Sequence, residues 1–505
     1  MDKPERLLAR DREWDLLCDF LADPAPALRI AVVSGRRRHG KSFLLHALAE
    51  AADGLYLTAV REEGRAPALR RLSDEIAAYA GLQAGSLRFD DWWALLRNAL
   101  QVVTRARPAG HPLLIIDELP YLMQHSPEVP GILQALYDET QFGEHPPVRL
   151  ILCGSAMSIM HELLSGTKPL RGRAVIDLRL QAFDHRTART HWGIESPEAA
   201  LRVHAVLGGA PGYLPLAGRP APVQAADFDT WVTRTVLDPG RAVFSRTEAE
   251  YLLREDPRIT QHTLYYDLLS AIAHGACTPS RIGAALGRER GAVTYPLEVL
   301  ESTGYVTREQ DLLRARSPII TLTDPVIRFN QLITLPQASV IDQGFSAEAW
   351  RASAPAFNSK ILGPHFEALA REWTRRHAHE ILPDGLPGAV GTCELTDQAG
   401  RAKHEIDVLA LALGQSTQRP RARIAVIGEA KATLDRRGGA DLARLEHLRT
   451  VLSGQGHHTD RAVLALFSMN GFHPDLVTVA ARRPDVLLVD LAALYGDGPP
   501  LGLGA

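Results

Sequence analysis

Few eight-residue strings restrict a chain as tightly as GRRRHGKS at residues 35–42, which sets Gly35, Gly40, Lys41 and Ser42 in a G-x-x-x-x-G-K-S pattern. It follows the apolar run LRIAVV (28–33) and leads into SFLLHALAE, a helical pattern. Random order would place roughly 0.004 such strings in a chain of this makeup. A strand, a glycine-rich turn and a helix start in that sequence turn backbone N–H groups and the positive helix end toward a phosphate. Lys41 is then expected at the β and γ phosphates and Ser42 on Mg2+.

The second half of such a site is legible in LLIIDELPYL, where Asp117 ends an apolar run and Glu118 follows it. Asp117 is expected in the magnesium shell and Glu118 beside the attacking water. Ser155, after LILCG, is a candidate γ-phosphate sensor on the neighbouring strand, with a strand-end cap as the plainer alternative. Arg173, near Arg171 in PLRGRA, is a candidate source of positive charge for phosphoryl transfer, from its own subunit or a neighbouring one. A solvated arginine is its alternative.

Around these motifs the period alternates between β-rich and helical. Strands are expected at 28–33, 54–60, 112–117, 148–154 and 174–180, and DDWWALLRNALQVV supplies an acidic cap before a helix. Alternation of this kind predicts a parallel sheet covered by helices. With 505 residues the chain has room for about three domains of ordinary size. The boundaries read as an ATPase core at 1–180, a helical lid at 181–258, a winged helix at 259–334, a linker at 335–360 and a last α/β domain at 361–498.

The segments ARDREWDLL, GRRRHGKS, IIDELPYL, LILCGSAMSIM, PLRGR and GGAPGYL together resemble the archaeal and bacterial P-loop ATPases of the AAA+/STAND type. The resemblance implies ATP as ligand and a lid whose Gly209, Ala210 and Pro211 report the nucleotide state, with Pro211 against the base. In the opening segment Ala9 stands where those proteins usually carry Gly.

Residues 260–330 read as three short helices and a hairpin, with 280–286 and 291–302 as the helix-turn-helix pair. This is similar to the winged helix that follows the lid in the same ATPases. Arg288, Arg290, Arg308, Arg314 and Arg316 suit phosphate contacts, whereas Glu298 and Glu301 lie on the recognition-helix candidate. DNA reading and plain packing both remain open roles for the module.

Near the end, Asp407 in HEIDVLAL and Glu429 with Lys431 in VIGEAKA fall on consecutive strand candidates. Acid-x-Lys triplets are common, about 0.7 expected here from composition. Period two nevertheless places Glu429 and Lys431 on one face, where two carboxylates can hold Mg2+ or Mn2+ and a lysine can position a nucleophile. Glu367 in GPHFEALAREW is a third candidate carboxylate. The layout resembles the PD-(D/E)xK nuclease fold. The fold class expected for the whole chain is therefore α/β: a parallel-sheet P-loop NTPase core, helical lid, winged helix, and a C-terminal restriction-endonuclease-like domain.

With 56 basic against 59 acidic residues no bulk polycation exists, so any DNA contact must be local. Four cysteines without a CxxC pair, and no apolar run of membrane-spanning length, lead to the expectation of a cytoplasmic protein without membrane contact. ATP, DNA and a nucleotide-dependent homo-oligomer are the expected partners. Trp92, Trp93 and Trp373 read as core, and His39 and His404 as solvated imidazoles. Two functions follow: a nucleotide-switched protein that binds and cleaves DNA, or a regulatory switch whose last domains bind without cleaving.

Overall fold

The computed structural model describes residues 1–107, 112–141, 147–217, 220–241, 247–248, 251, 253–254, 256, 258–315, 318–383, 385–398 and 400–503. Two compact units divide the chain: Met1–Ala182 with Ala210–Gly212 and Leu252–Thr260, and Phe183–Gly209 with Tyr213–Tyr251 and Gln261–Ala505.

In the first unit five parallel strands form one sheet: β1 (Arg29–Ser34), β2 (Leu55–Thr58), β3 (Leu113–Asp117), β4 (Arg149–Gly154) and β5 (Ala174–Arg179). Their spatial order is β2-β3-β4-β1-β5. The uninterrupted apolar run of LLIID belongs to a strand covered on both faces, and all five of its residues are buried. Alternate residues of β1 feed separate cores. Ile30 and Val32 pack with Trp92 and Leu95, and Ala31 and Val33 pack with Leu44 and Leu48.

The helices that cover the sheet begin where the sequence signals them. Helix α1 spans Asp11–Ala22, α2 spans Lys41–Ala52, α3 spans Arg65–Tyr79 and α4 spans Trp92–Ala106. Asp91 caps α4 by accepting the Ala94 N–H at 2.8 Å, a contact that stabilises a helix start by about 1 kcal/mol. Further along, α5 (Leu119–His125), α6 (Val129–Thr140) and α7 (Met157–Leu163) complete the layer.

The second unit opens with α8 (His185–Trp192), α9 (Pro197–Leu207) and α10 (Phe228–Arg234), the segment expected as a lid. These helices are fastened to the chain's far end: Arg186 Nε donates to Leu494 O at 2.8 Å, and Arg189 pairs with Asp497 at 2.7 Å. Next come α11 (His262–Ala273), α12 (Pro279–Ala285) and α13 (Arg290–Ser302), then the antiparallel hairpin β6 (Val306–Glu309) and β7 (Ile319–Leu322). Three helices followed by a two-stranded wing make this a winged-helix module. Gly283 marks its tight turn, since a Cβ there would lie 2.7 Å from Arg288 O.

The expected linker at 335–360 is corrected by the structure. It is largely helical, with a five-residue helix at Ala338–Asp342, another at Ser346–Ala356, and a π-helical turn at Phe357–Leu362 running into Gly363–His377. Trp350 and Phe357 are buried and face Phe228 and Phe329 at ring separations of 5.7–6.4 Å. Scattered single aromatics, rather than a long apolar run, anchor this stretch, and that hid the packing.

The last part of the unit is a six-stranded mixed sheet: β8 (Pro387–Asp397), β9 (Ala402–Ala412), β10 (Ile424–Lys431), β11 (Val463–Ser468), β12 (Val486–Val489) and β13 (Leu501–Gly502), in spatial order β13-β12-β11-β10-β9-β8. Neighbours β8, β9 and β10 are antiparallel, and β10, β11 and β12 are parallel. The helix Gly363–His377 precedes it in sequence, and the helix Gly439–Gly454 connects β10 to β11. Opposite β8 residues 391–393 stand β9 residues 406–409, so β9 carries one extra residue around Asp407. Such a bulge re-aims the side chain it carries. Among the described residues no helix is long and apolar enough to cross a membrane.

Candidate functional site

The loop between β1 and α2 is tightly determined. Gly40 sits at φ 89° and Arg38 at φ 67°, both left-handed. A Cβ on Gly35 would approach Leu180 O to 2.6 Å. His39, buried rather than solvated as the sequence suggested, contacts Leu180 O through Nδ1 at 3.0 Å. Lys41 is 5% exposed, and its ammonium donates to Gly35 O at 2.7 Å and Arg36 O at 3.3 Å. The ammonium thus lies across the loop.

Asp117 ends β3 beside this loop. Its Oδ2 accepts Ser42 Oγ at 2.7 Å and Tyr56 Oη at 2.6 Å, and its Oδ1 accepts the Glu118 N–H at 2.9 Å. Burial opposes its ionisation, but hydrogen bonds from Cys153, Tyr56 and Ser42 outweigh this and hold the carboxyl below its usual range. Burial and the Asp117 charge together push the Tyr56 phenol up. Tyr56, stacked on His46 at 3.8 Å, was missed by the sequence reading because a strand tyrosine carries no motif. Glu118 stands at φ 53°, left-handed, and its carboxylate accepts Ser155 Oγ at 3.0 Å and the Ser155 N–H at 3.3 Å. The structure therefore joins Lys41, Ser42, Asp117, Glu118 and Ser155 at the carboxyl ends of parallel strands, where ligands of open α/β sheets bind.

Pro211 belongs to the same unit. Its Cγ lies 3.6 Å from where a Gly40 Cβ would stand, and Gly212 N–H donates to Arg38 O at 3.1 Å. Arg10 was also missed: it donates to His39 O at 3.1 Å and Gln181 O at 2.7 Å, bracing the loop. Ala9 beside it holds φ 42°, a conformation that a glycine adopts without strain.

Arg173 requires a correction. Ala174 pairs with Ile30 near the start of β1, and Arg179 pairs with Ser34 where the loop departs. Arg173 therefore lies at the opposite end of the parallel strands, roughly 15 Å from the loop at ~3.3 Å per residue. Its guanidinium forms two 2.8 Å bonds with Asp138. A role at its own subunit's phosphates is thereby overturned.

In the winged helix, Arg290, Thr294, Tyr295 and Glu298 are exposed on α13. Glu301 is paired with wing residue Arg308 at 2.9 Å, so one acidic charge on that face is offset. Arg314 Nη1 donates to Thr396 Oγ1 at 3.1 Å, and Arg316 lies outside the described residues.

On the last sheet Asp407, Glu429 and Lys431 are brought together. Lys431 Nζ lies 3.0 Å from Glu429 Oε1 and 3.4 Å from Asp407 Oδ2, which also accepts the Ala430 N–H at 3.0 Å. Asp407 and Glu429 are 8% and 6% exposed. Glu367 joins them: burial first, then the Asp407 charge, pushes its carboxyl up to about 7. Two residues that the sequence reading missed complete the cluster. Arg444 Nε donates to Glu429 Oε2 at 2.6 Å, and Arg371 Nη1 donates to Asp407 O at 3.0 Å. Both are arginines among fifty, so nothing in their local sequence marks them.

Residues 259–317 match the MarR family profile, a stretch that takes in the three helices and the first wing strand of the winged-helix module. An uncharacterised protein of Methanocaldococcus jannaschii is 25% identical over 349 residues, covering 68% of this chain and 72% of that protein. Among solved structures, the Walker-type ATPase PABY2304 of Pyrococcus abyssi aligns at 22% identity and TM-score 0.49, covering 65% of this chain and 97% of that one. The ORC2 protein of Aeropyrum pernix aligns at 15% identity and TM-score 0.45, covering 70% and 97%.

Proposed function

We propose that this chain is a P-loop ATPase whose second unit contacts DNA through its winged helix and cuts phosphodiester bonds at the Asp407 cluster. The observation that carries the reading is the convergence of Lys41, Ser42 and Asp117 on one loop, with Ser42 Oγ 2.7 Å from Asp117 Oδ2. A hydroxyl and a depressed carboxyl side by side, next to a loop whose backbone turns left-handed at Arg38 and Gly40, fit an Mg2+-bound triphosphate. When bound, Mg-ATP supplies an electrophilic terminal phosphorus and a cation that offsets its charge. Lys41 would contact the phosphates, Ser42 and Asp117 would hold the cation, and Glu118 would orient water and take its proton. Ser155 fixes the Glu118 carboxylate, and Pro211, close to Gly40, would bound the nucleotide base.

At the second site Asp407, Glu429 and Glu367 supply the oxygen donors that Mg2+ or Mn2+ prefers. Burial, then the Asp407 charge, hold the Glu367 carboxyl up to about 7, and a divalent cation beside it would favour its ionised form. The cation would polarise a phosphodiester and lower the pKa of water. Lys431 would position that water or meet developing charge.

One observation favours a non-cleaving regulatory switch: both Glu429 oxygens are engaged, by Lys431 and by Arg444. Cation binding through Glu429 must then displace Arg444.

The test is cleavage of supercoiled, linear and single-stranded DNA with Mg2+ or Mn2+, with and without ATP, for wild type, Lys41→Ala, Asp407→Ala and Lys431→Ala. Cutting lost in Asp407→Ala and Lys431→Ala supports the nuclease, and cutting altered in Lys41→Ala supports control by ATP. Cutting unaffected by Lys431→Ala removes the catalytic assignment. Absence of cutting, with ATP-dependent oligomerisation or DNA binding retained, leaves the switch.

A further inference from the structure

The Asp397, His404 and His447 side chains come from three elements, β8, β9 and the helix Gly439–Gly454, and none belongs to the Asp407 cluster. Their ligand atoms all lie within 4.8 Å of one another. His447 Nε2 is 3.0 Å from Asp397 Oδ2, and His404 Nε2 is 4.0 Å from the same oxygen. The imidazole rings stand nearly perpendicular, 80° apart, with centroids 5.7 Å apart.

Two further features point to a ligand. The Nε2 atom of His404 is buried and has no hydrogen-bond partner, although it faces the carboxylate. A buried ring nitrogen left so costs free energy, and a bond to a cation would remove that cost. The Asp397 carboxylate is also held in place from behind: its Oδ1 accepts the Gly400 N–H at 2.9 Å, and a Cβ at 400 would fall 2.4 Å from Oδ2. Support of this kind behind a ligand orients it for a metal.

We propose that Asp397, His404 and His447 bind a divalent transition-metal ion of the zinc class. Two imidazoles and a carboxylate select zinc, cobalt or nickel over magnesium and calcium, which prefer oxygen. Tetrahedral zinc, with ligand bonds of ~2.0–2.2 Å, holds neighbouring donors roughly 3.3–3.5 Å apart. The 3.0 and 4.0 Å separations bracket that value. His447, with its side chain 52% exposed, is free to close the remaining gap by rotation, and solvent supplies the fourth ligand. The ion would tie the helix Gly439–Gly454 to the β8–β9 hairpin, alongside the bond from Gln455 Nε2 to Thr396 O at 2.8 Å.

The inference stands apart from the proposed ATPase and nuclease activities, and its test reads binding rather than turnover. Full-length chain stripped by chelator is titrated with Zn2+ against a chromophoric chelator in excess Mg2+, and with Co2+ for its visible absorption. Wild type and Glu429→Gln are expected to bind one equivalent of Zn2+ at this site, with Co2+ giving the strong bands of a tetrahedral centre. His447→Ala, at an exposed position, and His404→Ala are expected to weaken that binding at least tenfold, and Zn2+ should raise the thermal midpoint of wild type but not of His447→Ala. Zn2+ binding unchanged in His447→Ala, or absent from wild type, overturns the proposal. Zn2+ binding lost in Glu429→Gln but kept in His447→Ala assigns the ion to the Asp407 cluster and overturns it equally.

Discussion

Ser42 Oγ donates to Asp117 Oδ2 at 2.7 Å across 75 residues of sequence, and Tyr56 Oη donates to the same oxygen at 2.6 Å. The carboxylate is thus poised as an anion beside the loop. On the proposed function, Ser42→Ala removes a cation ligand and a donor together, and is expected to lower Mg2+-dependent ATP turnover at least tenfold, about 1.4 kcal/mol in barrier. Tyr56→Phe removes only the donor, and should cost about threefold. Steady-state phosphate release as a function of Mg2+ checks both, and equal losses in the two variants would contradict the assignment of Ser42 as a ligand.

Glu118 and Ser155 sit on adjacent strand ends and share a hydrogen bond at 3.0 Å. Glu118→Gln keeps the shape but cannot take a proton, so nucleotide binding should persist while turnover falls about 100-fold. Ser155→Ala releases the carboxylate and should lower turnover by about tenfold with little change in affinity. A fluorescent nucleotide titration alongside single-turnover hydrolysis separates the two quantities. Loss of nucleotide binding in Glu118→Gln would show a structural role instead.

Much of this was readable because strand ends and loop glycines are local features. All five strands of the first sheet lie in the runs of six or seven residues expected for them, β1 running one residue past its own, and Asp407, Glu429 and Lys431 meet on neighbouring strands. Long-range pairing was not readable. Arg173 has the composition of an arginine finger, yet the parallel direction of β5 carries it to the far end of the sheet, and only topology decides that. His404 looked solvated because a strand histidine is ordinary in sequence. Its relation to His447 depends on how a helix forty residues later lies on the hairpin. The Asp407 bulge was equally hidden, since β9 is buried without alternation from Ile406 to Ala412 and offers no period for an extra residue to break.

Gly209 immediately precedes the short segment Ala210–Gly212 that belongs to the loop's unit, while the chain on either side belongs to the other. Gly209 O accepts the Phe183 N–H at 2.8 Å, and a Cβ on Gly209 would fall 1.8 Å from Phe183 O. That neighbour is backbone and cannot rotate away. Gly209→Ala is expected to cost about 2 kcal/mol of stability and to shift residues 210–212 off Arg38. Thermal unfolding reads the first effect. Nucleotide affinity reads the second, and it should fall while the Asp407 cluster keeps its metal affinity.

His204 and His365 form a buried pair, Nδ1 to Nε2 at 2.9 Å, joining α9 to the helix Gly363–His377. Burial lowers His204 to about 3 and holds His365 well below its ordinary value. In the unfolded chain both rings protonate near 6.5, whereas the folded chain keeps them neutral well below that. The unfolded state therefore binds more protons in this window, and stability falls as pH drops from about 6.5 toward 3. Each ring contributes a slope of up to about 1.4 kcal/mol per pH unit. Replacing both, His204→Leu with His365→Leu, removes the titrating groups and the polar pair together, so the protein should lose up to two protons' worth of acid sensitivity whatever its stability at pH 8. Urea unfolding at pH 7, 6, 5 and 4 measures that slope. An unchanged slope in the double variant would place the acid sensitivity elsewhere in the chain.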